Sequence, residues 1–258
     1  MFGFTLSVNT NPGILDQNFS PHFSFFNPGD FAQEIDFYSP HADNLKLEDA
    51  DIAYARLKSI FNLVRGVLKI LGYPPVWEYG KLNYDNGTQW SKPAWKEDAI
   101  ISHIEKVNPF DRDITLKLSE EKTNGGRVGA YFQLIVEKSH IRDVMNLYID
   151  AIDNESFLYI NATKIYETII TDLGIKGKRQ KEQLNSLGIP ETLRSSLNKI
   201  ESLKKLMNND AGIFYKRHGH NPKNNENSFE EEFAQLKNIK NDISLLVNEW
   251  FKYNVTQK

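Results

Sequence analysis

The run "KRHGH" (residues 216–220) places two imidazoles and two cations just ahead of Pro222. An arginine presents a planar fork that matches two phosphate oxygens, and a histidine can transfer a proton near neutral pH. Metal-independent cleavage of RNA needs a base, an acid and a cation that stabilises the charge of the phosphorane. Arg217 and His218 are therefore the predicted catalytic residues.

A structural interpretation of the same run stays open. The stretch "AGIFYKR" before it could end a helix that Gly219 breaks. Cations gather at helix C-termini because they complement the dipole and bond the last carbonyls. The residue types alone do not choose between a phosphate site and a helix terminus.

Metal binding is weakly indicated. His218 and His220 form a pair, but catalytic zinc normally takes three protein ligands. Glu120-Glu121-Lys122, with Asp111 and Asp113 before it, is a common triplet next to a predicted turn. We predict no metal and no cofactor.

Charge is unevenly distributed along the chain, whose net charge is −3. Residues 1–60 carry three basic and eight acidic side chains, whereas residues 161–223 carry twelve basic and six acidic ones. This asymmetry is typical either of ordinary surface scatter or of an anion-binding surface in the later segment. On the second interpretation, the predicted nucleic-acid or phosphate ligands are Lys216, His220, Lys223, Lys178 and Arg179.

Composition restricts the class of protein. The chain has 258 residues, of which 40% are hydrophobic and 12% aromatic, enough for a substantial core. It has no cysteine, which excludes disulfides and thiolate metal sites and fits a reducing compartment. No signal-peptide pattern and no apolar run of membrane-spanning length is visible, so we expect a cytoplasmic protein with no membrane partner.

The first half is predicted to be rich in strands, with one long helix. The spacing of apolar residues predicts a helix over residues 47–71, and Gly72 ends it. Alternation and turn residues predict strands over residues 4–10, 23–26 and 32–40. They also predict a hairpin over 76–84 and 88–90 and a second hairpin over 114–119 and 128–136.

The second half is predicted to be helical almost throughout. Apolar stripes, a glycine stop and a proline start predict helices over residues 140–152, 157–173, 178–187 and 190–208. A last helix is predicted to begin at Ser228, since Glu231 three residues later completes a capping box.

Residues 157–251 resemble HEPN-like helical proteins. The resemblance rests on "INATKIYETIITDLG" (160–174) with its Tyr166-Glu167 pair, on Arg217-His218-Gly219 after a glycine, and on a closing helix that ends in "LLVNEWF". It implies an α-helical bundle that often dimerises and takes part in antiviral defence or toxin systems. Active members carry an Arg-x(4–6)-His ribonuclease site. Here histidines follow Arg217 at +1 and +3 instead, so cleavage of RNA is left open.

These observations together predict an α+β protein. Residues 1–138 are expected to form a β-rich domain with the inserted helix, and residues 139–258 a HEPN-like helical bundle. The expected function is that of a prokaryotic antiviral-defence protein that binds nucleic acid or a nucleotide and could be a metal-independent endoribonuclease. The alternative is a non-catalytic adaptor that binds a protein partner. The resemblance also predicts a homodimer formed through the bundle.

Overall fold

The computed structural model describes most of the chain, with gaps. The described residues are 3–9, 12–14, 17–27, 35–85, 87–91, 98–119, 121, 125–177, 180–209 and 237–257. The chain folds into two compact units, Met1–Arg142 and Asp143–Lys258. Each unit is considered by itself below.

The first unit contains an antiparallel sheet. Its strands are β1 (Phe4–Asn9), β2 (Ser24–Phe26), β3 (Ile35–Tyr38), β4 (Trp77–Tyr84) and β5 (Gln89–Ser91). Their spatial order is β2-β3-β1-β4-β5, so the N-terminal strand lies at the centre. β4 and β5 pair as a hairpin, as the alternation and the turn residues predict.

One face of this sheet is apolar and covered by a long helix. Leu6 pairs with Phe37 on one side and with Leu82 on the other, and all three side chains are fully buried. Helix α1 (Ala50–Ile70) packs on this face, where the Phe61 ring lies 5.3 Å from that of Phe37. The helix predicted over residues 47–71 is confirmed, with a 3₁₀ turn at Leu47–Asp49 before it.

The opposite face of the sheet is polar and also buried. Asp36 of β3 accepts hydrogen bonds from the Thr5 hydroxyl at 2.8 Å and from the Asn83 amide at 3.2 Å. Burial of a carboxylate is tolerated when such donors satisfy it. We therefore infer that this cluster stabilises the pairing register of β3 with the central strands.

The hairpin predicted over residues 114–119 and 128–136 is wrong, because both segments are helical. Three helices follow the sheet: α2 (Ala99–Val107), α3 (Arg112–Leu118) and α4 (Gly126–Glu137). In α3 the Asp111 carboxylate caps the N-terminus by accepting from Asp113 N and Ile114 N, so local capping outweighs the alternation. In α4 the continuous apolar run hid a helical spacing, since Val128, Tyr131, Phe132 and Ile135 form one buried face. Helix α2 was not predicted.

The second unit is helical throughout its described part. Its elements are α5 (Ser139–Asp153), whose first turn precedes the unit boundary, α6 (Glu155–Asp172), α7 (Gln180–Ser186), α8 (Glu191–Asn209) and α9 (Ile239–Thr256). These helices confirm the mixed α+β content and the helical second half. The predicted start of the last helix at Ser228 lies outside the described residues, and the HEPN-like arrangement stays a prediction. None of the helices in the described ranges is long and apolar enough to cross a membrane.

Candidate functional site

All seven site residues predicted from the sequence lie outside the described part of the chain. Lys216, Arg217, His218, His220 and Lys223 fall between α8 and α9, and Lys178 and Arg179 fall just before α7. The prediction of these seven residues therefore rests on the sequence alone. The structure describes only the helices that flank them.

The two helices that flank the predicted catalytic pair run antiparallel. Thr192 at the start of α8 donates to Glu249 in the second half of α9, and Lys199 pairs at 3.1 Å with Asp242 near the start of α9. The Asp242 side chain is only 7% exposed, whereas that of Lys199 is 57% exposed. The C-terminal end of α8 and the N-terminal end of α9 thus lie at the same end of the pair.

Some of the cations that create the positive charge of residues 161–223 have structural roles. Arg194 donates to the carbonyls of Leu184 and Leu187, which closes the end of α7. Lys199 is held by Asp242, as above, and Lys204 lies 3.5 Å from the Glu167 carboxylate. These three side chains are thus engaged with carbonyls or carboxylates within the second unit.

The Tyr166-Glu167 pair of the resemblance lies in the contact between α6 and α8. The Tyr166 side chain is buried, and its hydroxyl makes no hydrogen bond of normal geometry. Burial and the nearby Glu201 and Glu167 carboxylates raise its pKa. The Lys204 ammonium stands 4.8 Å from the centre of the Tyr166 ring. A neutral phenol under a cation stabilises the packing of α6 on α8 and offers no open reactive group.

The first unit contains an open cleft of about 730 Å³ at the N-terminal end of α4. Its lining combines amide, aromatic and cationic side chains with glycines: Gln17, Asn18, Phe19, Leu71, Gly72, Tyr73, Pro74, Gly125, Gly126, Arg127 and Val128. Among the lining residues that the structure describes, Arg127 and Tyr73 are the side chains that carry a charge or a titratable hydroxyl. Sequence reasoning missed the cleft, because Gly125-Gly126 was interpreted as a hairpin turn.

Two buried histidines of the first unit form a hydrogen-bonded pair. His22 Nδ1 lies 2.9 Å from His41 Nε2, and the rings are 1% and 0% exposed. The backbone N–H of Asp111 donates to His41 Nδ1 at 3.1 Å. Since that nitrogen accepts, His41 carries its proton on Nε2 and donates it to His22 Nδ1. The His22 proton then resides on Nε2, a buried atom with no hydrogen bond of normal geometry.

Burial keeps both imidazoles neutral. It lowers the pKa of His22 to about 4. Burial and the neighbouring His22 lower the pKa of His41 to about 3. Two neutral, inaccessible rings are unsuited to proton transfer with a ligand at neutral pH, so the pair is a core element.

Metal-ligand sets do not occur among the residues that the structure describes: no group of three or more suitable side chains comes together there. The Asp111 carboxylate, which precedes the Glu120-Glu121-Lys122 triplet, caps the N-terminus of α3. Glu120 and Lys122 lie outside the described ranges.

No family model, no curated protein and no solved structure matches this chain. The function must therefore be argued from the chain's own residues.

Proposed function

We propose that the protein binds RNA or a nucleotide through the cations around α7 and between α8 and α9, as a HEPN-like protein of antiviral defence. Arg217 and His218 are the central pair of this site. The charge distribution carries the proposal: residues 161–223 hold twelve basic and six acidic side chains.

The structural roles of other cations in this segment support the proposal. Arg194, Lys199 and Lys204 are engaged with carbonyls or carboxylates of the bundle. The cations proposed as phosphate ligands are different residues, and they cluster in two stretches, 178–179 and 216–223. The second stretch lies in sequence between the C-terminal end of α8 and the N-terminal end of α9.

The chemistry expected there follows from the residue types. The Arg217 guanidinium can donate two parallel hydrogen bonds to a phosphate, a geometry that lysine does not offer. The His218 imidazole can remove the proton of a 2′-hydroxyl or protonate a leaving oxygen. Binding needs only the first property, whereas cleavage needs both.

The test compares Arg217→Ala and His218→Ala with the wild-type chain. Binding of a single-stranded RNA oligonucleotide and of ATP is measured by fluorescence anisotropy at two salt concentrations, and RNA cleavage is measured in the presence of EDTA. We expect Arg217→Ala to weaken binding by about 10–100-fold, since a hydrogen bond to a charged group is lost. If RNA is cleaved, His218→Ala should slow cleavage by on the order of 100-fold.

Two controls make the result interpretable. Lys69→Ala removes an exposed cation at the end of α1, outside the cationic segments, and should leave binding unchanged. The melting temperature of each variant should stay near that of the wild type, because a helix-end cation contributes at most about 1 kcal/mol of stability. Unchanged binding in Arg217→Ala, or no salt-dependent binding by the wild-type chain, would exclude the proposal and favour the adaptor alternative.

A further inference from the structure

The open cleft at the N-terminal end of α4 has the size of a small-molecule site, and the proposed function does not use it. Its volume of about 730 Å³ lies within the range of about 300–1,000 Å³ that such sites occupy. A Cβ added at Gly72 or at Gly126, two of its lining residues, would meet nothing within 4 Å. The cleft is therefore open space between the end of α1 and the start of α4, and its described lining lies within the first unit.

Arg127 brings a positive charge to this cleft. Its side chain is exposed, and it makes no hydrogen bond or ion pair with any residue in the described ranges. By contrast, Arg56, Arg142 and Arg194 are held by carboxylates or backbone carbonyls. An arginine can donate two parallel hydrogen bonds to a phosphate. Arg127 is therefore available to bind an anion in the cleft.

An aromatic ring with a fixed position also lines the cleft. The C-terminal end of α1 holds the backbone of Tyr73, whose N–H donates to the Leu68 carbonyl at 2.9 Å. The Tyr73 ring meets the buried Phe19 ring edge to face, with 6.3 Å between their centres. Tyr73 itself is only half-buried. It therefore offers an aromatic surface on which a planar group can stack.

The segment before Phe19 adds hydrogen-bonding groups to the lining. Gln17 and Asn18 are exposed there, and the Gln17 amide donates to the Gly13 carbonyl. The Asn18 amide has both a donor and an acceptor, the combination that pairs with the edge of a nucleobase. A Cβ at Gly129 would stand 2.2 Å from the Phe19 carbonyl oxygen, so this segment lies directly against α4. The backbone that carries Asn18 is thereby fixed relative to α4.

We propose that this cleft binds a nucleoside monophosphate. Arg127 binds the phosphate, the base stacks on Tyr73, and the Asn18 amide bonds to the edge of the base. The three groups indicate this class together, because inorganic phosphate would use only the first, a nucleoside only the other two, and an aromatic carboxylate only the first two. The site lies in the first unit and does not rest on the proposed binding of RNA or nucleotides by cations of the second unit.

Isothermal titration calorimetry of the full-length chain tests the class of ligand, with AMP, GMP, CMP and UMP as probes. We expect at least one of the four to bind. The partial ligands are the nucleoside of the best probe, inorganic phosphate and benzoate. Each should bind at least about 10-fold more weakly than the best monophosphate, because each lacks one or two of the three contacts.

Variants of the lining test the assignment of residues. Arg127→Ala should weaken binding of the best monophosphate by about 10–100-fold, since hydrogen bonds to a charged group are lost. Arg127→Lys should fall between it and the wild type, because lysine keeps the charge without the fork. Asn18→Asp is nearly isosteric, and its negative charge should weaken binding most at low salt.

Arg112→Ala is the matched control for Arg127→Ala. Arg112 is also an exposed arginine in the first turn of a helix of the first unit, and it is not among the residues that line the cleft. Its replacement should leave binding unchanged. Both arginine variants should melt at the temperature of the wild type, because neither side chain has a partner in the described part of the chain.

Hydrogen exchange locates the bound monophosphate. Exchange should slow at residues 17–19, 71–74 and 125–128, and Arg217→Ala should leave the binding unchanged. The inference is overturned if none of the four monophosphates binds, if a partial ligand binds as tightly, or if Arg127→Ala binds as well as Arg112→Ala. Binding that is lost in Arg217→Ala and kept in Arg127→Ala would place the nucleotide on the second unit and also overturn it.

Discussion

At the scale of single residues, the buried histidines His22 and His41 differ from the two histidines that the sequence analysis selected. His218 and His220 stand out because they are close in sequence and beside cations. His22 and His41 lie 19 positions apart in the sequence, yet they form the buried pair. Its hydrogen bonds run in one direction, from the Asp111 N–H through His41 to His22.

This pair predicts a loss of stability in mild acid. The pKa values of His22 and His41 are lowered to about 4 and about 3 in the folded chain, whereas an unfolded histidine titrates near 6.5. Below about pH 6.5 the unfolded chain therefore binds more protons than the folded chain, and stability falls as pH falls towards 4. Each pH unit in this window should cost about 1.4 kcal/mol per imidazole. Above pH 7 the pair should cause no change.

Thermal unfolding between pH 8 and pH 5 checks the stability, and NMR of the imidazole ring protons checks the cause. The ring resonances of His22 and His41 should hardly shift between pH 8 and pH 5. His22→Gln should remove one of these two. Titration of all six histidine resonances with midpoints above pH 6 would contradict a neutral buried pair.

At the scale of elements, α2 shows how one ion pair can set the orientation of a helix. Arg56 of α1 donates to both Glu105 oxygens and also to the His41 carbonyl at 3.0 Å. The same guanidinium thus connects α1, α2 and the histidine pair. A buried charge that loses its partner is costly, because it stays desolvated without the acceptor that compensated for its burial.

Glu105→Ala should therefore destabilise the first unit by about 3–5 kcal/mol. Urea unfolding followed by hydrogen exchange in α1 and α2 measures the loss for this unit separately. The control is Glu155→Ala, which removes the partner of Lys240 from a surface pair whose carboxylate is 77% exposed. That variant should lose less than about 1 kcal/mol. Equal, small losses in the two variants would show that the Arg56–Glu105 pair does not anchor α2.

At the scale of the whole molecule, contacts between distant parts of the chain decide the shape of the first unit. Helix α4 approaches the backbone at Phe19 so closely that side chains are excluded. A Cβ added at Gly129 would stand 2.2 Å from the Phe19 carbonyl oxygen, and one added at Gly125 would stand 1.7 Å from it. This approach also brings Phe19 and the start of α4 to the same cleft.

Gly129→Ala should destabilise the protein although it improves helix propensity. Alanine is better than glycine in a helix by about 1 kcal/mol, but relieving the overlap with a backbone carbonyl should cost about 1–3 kcal/mol. Gly188→Ala is the matched control, because a Cβ there meets nothing within 4 Å. It should be neutral or stabilising by up to about 1 kcal/mol. Melting temperatures compare the two, and a Gly129→Ala variant as stable as the wild type would refute the close approach.

The sequence by itself determined the elements whose signals are local. The helix around residues 47–71, the hairpin at 77–91, the central strand at 4–9 and the helices of the second half follow from periodicity, caps and turn residues, which act within a few positions. It misassigned residues 114–119 and 128–136, where a short alternation and a continuous apolar run fit a strand as well as a helix.

Only the tertiary structure decided which residues meet. The Arg56–Glu105 pair spans 49 positions and the Asp111–His41 hydrogen bond spans 70, and no local pattern encodes a partner at such a distance. The exposed apolar stripe of α2 (Ile100, Ile104 and Val107) also depends on a contact between residues far apart in sequence. Its spacing is visible in the sequence, but a stripe at that spacing normally predicts a buried face, and here a buried ion pair on the other side of the helix turns it to solvent.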